Sequence, residues 1–205
     1  MKVDIVGEDE VTRAVIKRLL KDFRPDIEIN KVLPARGGQI KVLAPKYNQL
    51  KLPIICLTDL DVYDCPPSLI KDWFVSNLDN HLFLFRIAYG EAESWLMSDR
   101  KGFSKWINAN IDLIPDKKVI DRRKNIFEII FPYKPSLYLM KEIASQSKNN
   151  EIKEGLVPRE GAKKGPTYNS TLLPFIEKHW DINNAASYSY SLTKTIERIK
   201  QYLSA

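Results

Sequence analysis

Residues 52–57, Leu-Pro-Ile-Ile-Cys-Leu, form an unbroken apolar run that ends in Thr58-Asp59. A strand with no polar position must be covered on both faces, as the inner strands of a parallel sheet are. The flanking segments fit such a sheet. Lys2–Val6 reads as a short strand, and Val11–Leu20 places apolar residues at 11, 15, 16, 19 and 20, the spacing of a helix. Glu8, Asp9 and Glu10 precede that helix, where its dipole favours acids. Ile27–Leu33 alternates as a second strand; after the break at Arg36-Gly37-Gly38, Gln39–Leu50 reads as helical or irregular. Pro66-Pro67 opens a helix over Ser68–Asn77, Leu82–Ala88 is a fourth strand, and Glu91–Met97 a further helix. The alternation predicts an α/β domain with a mainly parallel sheet of about four strands between helices.

Beyond Asp99 the strand signals fade. Phe103–Ile107, Asp121–Ile130, Ser136–Ala144, Thr171–Lys178 and Leu192–Leu203 read as helices, broken by Pro115, Pro132, Pro135 and the loop Gly155–Pro166. The expected organisation is an α/β domain over residues 1–99, followed by a mostly helical region over residues 100–205 packed on the first. Charge divides at the same place. Residues 1–100 carry 14 basic and 15 acidic side chains, net −1, whereas residues 101–205 carry 18 and 11, net +7. Such asymmetry suits a polyanionic partner held by the second half, a nucleic acid being the obvious one; a solvated lysine-rich surface is the plain alternative.

With 44% hydrophobic and 28% charged residues, the chain is neither a disordered nor a fibrous protein. Two cysteines, Cys56 and Cys65, are too few for a disulfide framework and point to a reducing compartment. The start shows no apolar signal segment, and no apolar stretch approaches the roughly 20 residues of a membrane helix. A soluble cytoplasmic protein is expected.

Open parallel sheets bind ligands at the carboxyl ends of their strands. Three predicted strand ends carry acids: Glu8 and Glu10, Asp59 and Asp61, Glu91 and Glu93. Gathered carboxylates repel one another unless a cation joins them, and a set of oxygen donors without His or Cys suits Mg²⁺ or Mn²⁺. Each acid taken alone reads equally as a turn residue or a helix cap. The Asp59/Asp61 pair stands out because it ends the most apolar strand.

Other chemistries lack support. His81 and His179 have no second ligand at zinc spacing, and the sequence holds no G-x-S-x-G turn, P-loop or G-x-G-x-x-G. Cys65 has no evident base, so packing or helix capping is its expected role. Arg36, Gly37 and Gly38 would lay N–H groups and a guanidinium against a phosphate, or form a plain tight turn. Lys163, Lys164, Tyr168 and Asn169 combine cations with an aromatic in a loop that suits a phosphate backbone, or simply a surface. Trp73, Trp95, Trp106 and Trp180 fall at helical positions and read as core.

The acid after strand one, the D-x-D pair after an apolar strand and the short parallel sheet together resemble the Toprim fold, the metal-binding module of topoisomerases, DnaG-type primases and overcoming-lysogenization-defect nucleases. More specifically, IVGEDEVTRAVIKRLL, RGGQIK, LTDLDVYDCPPSLI, RIAYGEAESWLMSDR and GPTYNSTLLPFIEKHWD followed by SYSL resemble a family of uncharacterised bacterial Toprim-like proteins along most of the chain. The resemblance implies that Glu8 is the strand-one glutamate, that Asp59 and Asp61 are metal-binding aspartates, and that Glu91 and Glu93 complete the site. Many Toprim proteins carry Gly directly after the glutamate, whereas Asp9 follows Glu8 here; Glu10 is the alternative to Glu8. The resemblance also implies a nuclease component of bacterial anti-phage defence paired with an ABC-type ATPase.

The expected activity is Mg²⁺-dependent phosphodiester hydrolysis of DNA or RNA, with Arg86 or Lys124 as the cation that neutralises charge developing on the phosphate. Two alternatives stand beside it. One is a catalytically incomplete Toprim-shaped binding or regulatory subunit of an ATPase. The other is a D-x-D phosphatase or nucleotide-sugar transferase, in which the aspartates normally follow the first strand rather than the third.

Overall fold

A computed structural model describes residues 1–75 and 78–203. The chain divides into two compact units, one of Met1–Tyr89 with Lys194–Ala205 and one of Gly90–Thr193. The division thus falls earlier than the expected boundary at residue 99, and the end of the chain belongs with its beginning.

The first unit is an α/β sheet. Strands β1 (Lys2–Gly7), β2 (Glu28–Val32), β3 (Ile54–Asp59) and β4 (Phe83–Ala88) lie in the order β2-β1-β3-β4, all parallel. The inner pair is β1 and β3, in register from Asp4↔Ile54 to Gly7↔Leu57. Their apolar residues are almost wholly removed from water, as the run at 52–57 requires. That strand starts at Ile54 rather than Leu52: Pro53 has no N–H to offer a ladder, although its carbonyl accepts from the Asp4 N–H at 2.9 Å. Asp4, polar within an apolar strand, is buried but accepts from Asn30 Nδ2 at 2.8 Å.

Helices cover both faces. On one side Val6, Ile54, Cys56, Phe83 and Ile87 pack with residues of α2 (Gln39–Asn48) and α3 (Pro66–Trp73). Cross-strand registry puts Ile5, Ile55, Leu57 and Arg86 on the other side. There α1 (Glu10–Phe23) buries Val11, Val15, Ile16, Leu19 and Leu20. The last turns of α10 (Tyr190–Gln201) are tied down by Arg24, whose guanidinium donates to the carbonyls of Ile199, Lys200 and Tyr202, a cation at a helix carboxyl end. Helix α3 begins at Pro66 and stops at Trp73, short of the expected Asn77; Ser76 and Asn77 lie outside the described residues.

The second unit is mainly helical: α4 (Ala92–Ser98), α5 (Arg100–Ile107), α6 (Pro135–Tyr138), α7 (Asn150–Leu156), α8 (Tyr168–Pro174) and α9 (Ile182–Ala186). Both α6 and α8 run on into a wider π turn, at Leu139–Ile143 and Phe175–His179. Buried Asp99 organises several segments by accepting from the N–H of Gly102 (3.1 Å), the N–H of Asp181 (2.9 Å) and Asn184 Nδ2 (2.6 Å). A Cβ at Gly102 would lie 2.0 Å from the Asp99 carboxylate, so no larger residue fits there. Phe103, Trp106 and Phe175 form a ring cluster beside it.

One expected helix is absent. Residues 121–130 belong instead to an antiparallel hairpin of β5 (Lys117–Asp121) and β6 (Ile126–Ile129). Local turn chemistry overrides the apparent helical spacing. The Asp121 carboxylate accepts from the N–H groups of Arg123 (2.9 Å) and Lys124 (3.2 Å), and Asn125 takes a left-handed φ of 50°. Val119, Ile120, Ile126, Phe127 and Ile129 on either side are strand formers. Among the described residues no helix is long and apolar enough to cross a membrane.

Candidate metal centre

The carboxyl ends of β1 and β3 build a cleft of about 190 Å³ in the first unit. Glu8, Asp59 and Asp61 line it, together with Gly38, Ile40, Lys41, Thr58, Tyr63 and Trp73. Each acid is placed by its local backbone. Asp9 caps α1: its carboxylate accepts from the Thr12 N–H at 2.9 Å, and the Thr12 hydroxyl accepts from the Asp9 N–H at 3.1 Å. The chain before the cap packs tightly, since a Cβ at Gly7 would sit 2.7 Å from Thr12 Oγ1. Glu8 is thereby held between strand and cap, half-buried, whereas Glu10 is exposed on the first turn of α1 and does not line the cleft. That arrangement favours Glu8 over Glu10.

Asp59 ends β3 opposite Ala88, and the next N–H, of Leu60, donates to the Ala88 carbonyl at 2.9 Å. Asp61 then takes φ 49°, a left-handed conformation that costs a non-glycine residue energy and that Asp tolerates better than most. Residues 36–38, expected as a phosphate cradle or a plain tight turn, lead into α2. The Gly37 N–H donates to the Glu8 carbonyl at 3.2 Å, Gly38 immediately precedes α2, and Gly38 lines the cleft. Arg36 is exposed next to it.

The cleft holds residues that sequence reasoning passed over. Lys41 Nζ donates to Asp72 Oδ2 at 2.6 Å and reaches Tyr63 Oη at 3.5 Å; the Tyr63 hydroxyl bonds Asp72 and accepts from Trp73 Nε1 at 3.1 Å. The Asp72 hydrogen bond raises the Lys41 pKa, and the Lys41 bond lowers that of Asp72. The RGGQIK block that contains Lys41 was the available signal. Trp73, read as core, is indeed 9% exposed but also forms part of the cleft wall. Cys56 lies below, its thiol pushed well up by burial and then by the charge of Glu8, so it stays protonated. Cys65 stands at the N-cap position of α3, yet its side chain makes no capping bond; its Sγ lies 3.6 Å from Ser68 Oγ.

Glu91 and Glu93 open the second unit. Glu91 is 4% exposed and accepts from the Ser136 N–H at 2.6 Å, with Lys134 Nζ at 3.0 Å. Glu93 is 3% exposed and accepts from the Tyr168 hydroxyl at 2.7 Å. The cleft of the first unit, by contrast, gathers the carboxylates of Glu8, Asp59 and Asp61. All their donors are oxygens, which suits a hard cation.

Three of the expected contacts to phosphate, Arg86, Tyr168 and Lys164, are engaged elsewhere. Arg86 sits mid-strand and its Nε donates to Thr195 Oγ1 at 3.2 Å; burial, then the nearby charge of Arg198, lowers its pKa to about 10. It is a packed structural cation and not a cleft residue. Lys124 is exposed in the turn of the β5–β6 hairpin. Tyr168 is buried and spends its hydroxyl on Glu93, while Lys164 Nζ lies 4.6 Å from the centre of its ring. Asn169 is half-buried, its Oδ1 without a hydrogen-bond partner. Only Lys163 of that loop group is simply exposed, and Gly165 between them packs where a Cβ would lie 2.3 Å from the Gly155 carbonyl.

No family model matches the sequence, and neither a curated protein nor a solved structure matches it.

Proposed function

We propose that the protein is a metal-dependent phosphodiester hydrolase acting on nucleic acid. One observation carries this reading: acids from the ends of two parallel strands, Glu8 with Asp59 and Asp61, share a cleft with the start of α2 and Lys41. Glu8 with Asp59 would hold Mg²⁺ or Mn²⁺, and Asp61 would stand at the rim. The bound ion would supply Lewis-acid polarisation of the phosphate and a water of lowered pKa. The chain's own residues do the rest. The start of α2 presents the positive end of its helix dipole to an anion, the N–H groups of Gln39 and Ile40 being taken by the carbonyls of Arg36 and Gly37. Lys41, in place of Arg86 or Lys124, is the cation beside the phosphate, held in position by Asp72 and Tyr63.

A phosphatase using an aspartyl nucleophile fits less well, because Asp59 ends the third strand of the chain and the Cys56 side of the cleft is apolar. The anti-phage setting and the ABC-type ATPase partner rest on the Toprim resemblance alone. The test is calorimetric titration of Mg²⁺ and Mn²⁺ into the wild type and the Asp59→Ala/Asp61→Ala variant, followed by incubation of both with plasmid and single-stranded DNA. Metal binding and cutting that disappear together in the variant support the reading. Metal binding without cutting of any nucleic acid favours the binding-subunit alternative.

A further inference from the structure

We propose that the β5–β6 hairpin is an arm that binds duplex DNA by entering its major groove. Five of the eight residues Lys117–Lys124 are Lys or Arg, and the single acid among them, Asp121, is folded back onto the N–H groups of its own turn. Lys117 is used to anchor the ribbon. Its Nζ donates to the Ser187 carbonyl at 2.8 Å and lies over the rings of Phe127 (4.8 Å) and Tyr188 (5.1 Å). On the partner strand Glu128, paired with Lys118 at the same end of the ribbon, accepts from Ser189 Oγ at 2.7 Å and from the Ser191 N–H at 2.5 Å. The ribbon is thus fixed at its base.

Beyond that anchor the ribbon is different. Lys118 on the strand and Arg122, Arg123 and Lys124 in the turn are all exposed, and among the described residues none of their side chains forms an ion pair or hydrogen bond. Val119 and Ile120, between the cations, are 58% and 43% exposed. Two exposed apolar side chains set among cations suit a groove lined by phosphates and thymine methyl groups, which accepts both kinds of residue. Strands about 4.8 Å apart make a ribbon that the roughly 12 Å major groove of B-DNA admits. The major groove of duplex RNA is too deep and narrow for it. The proposal shares with the hydrolase reading only the class of partner.

The test is fluorescence anisotropy of the full chain with a labelled mixed-sequence DNA duplex in EDTA, over a series of salt concentrations. EDTA separates binding from metal chemistry. The variant Lys118→Ala/Arg122→Ala/Arg123→Ala/Lys124→Ala is expected to weaken binding at least about tenfold and to flatten the log–log salt slope by about 3 to 4, the release expected of four phosphate contacts. The pair Arg122→Gln/Lys124→Gln, confined to the turn, is expected to show about half that change in slope. A control with equal charge removal, Lys17→Ala/Lys21→Ala/Lys31→Ala/Lys51→Ala, keeps the wild-type slope within about 1. An equal loss in hairpin and control variants, equal wild-type affinity for duplex RNA, or no wild-type binding to duplex DNA overturns the proposal. If the hairpin variants bind as wild type while Asp59→Ala/Asp61→Ala still loses cutting, the arm fails and the hydrolase stands. The converse result leaves the arm without the hydrolase.

Discussion

The cleft acids of the first unit and the buried glutamates of the second are handled in opposite ways. In the first, Glu8 and Asp59 are half-buried and Asp61 is exposed, all three on the wall of an open cleft. In the second, Glu91, Glu93 and Glu128 are each no more than 4% exposed, and each accepts at least one hydrogen bond from within the unit. A half-hydrated carboxylate can exchange water for a cation at little cost. A buried one has already exchanged its water for protein donors, and removing it strands those donors. The contrast teaches that an acid at the end of a strand or the start of a helix has two quite different uses, and that burial decides between them.

The largest expected effect belongs to the open set. Asp59→Ala/Asp61→Ala should remove the heat of Mg²⁺ or Mn²⁺ binding and bring nuclease activity to background, while the thermal unfolding midpoint stays close to wild type. A large fall in that midpoint would place these aspartates with the structural acids and break the comparison.

Glu128 should show the second largest effect, and a pH dependence. Burial raises its pKa from 4.5 to about 7 against the opposing hydrogen bonds from Ser189 and Ser191. The folded state therefore holds a proton that the unfolded state releases, between about pH 4.5 and 7. Stability falls as pH rises through that window and levels off above it, by up to about 3 kcal/mol. Glu128→Gln, an amide that needs no proton, should abolish this slope in urea unfolding measured from pH 4.5 to 8. An unchanged slope would assign the dependence to another group.

Glu91→Ala should cost about 2 kcal/mol by leaving the Ser136 N–H unpaired in a buried site. Lys134, half exposed, regains water and adds little. Hydrogen exchange of residues 90–193 would report the loss, and Glu91→Gln should recover part of it by accepting from the same N–H. Glu8→Ala should be the mildest in stability, within about 0.5 kcal/mol, yet should weaken metal binding where Glu10→Ala does not. Equal effects of the two would erase the distinction that the cap at Asp9 creates.

Much of the first unit was legible in the sequence. An apolar run, an alternating segment and a helix-spaced segment each carry their own burial requirement, so strand, edge and amphipathic helix could be read locally, and acids after the strands followed by position. That Lys41, Tyr63 and Trp73 share one cleft was not legible, because residues from α2, the loop after β3 and α3 meet only when the helices pack on the sheet. The hairpin was misread for a related reason. Apolar residues at 120, 126, 127, 129 and 130 satisfy either period, and the Asp121 carboxylate on its own turn decides for strands.

By itself the sequence determined the class of fold, covered parallel strands because the run at residues 52–57 lacks polar positions, and it put acids without His or Cys after the strands. Tertiary structure alone decided which charges are available. Arg86 and Tyr168, attractive as phosphate contacts on paper, are consumed by Thr195 and Glu93, while Glu8 was separated from Glu10 by a single cap. Hydration is the physical reason. Residue type sets what a side chain can bind, but the neighbours that remove its water set whether anything remains to be bound.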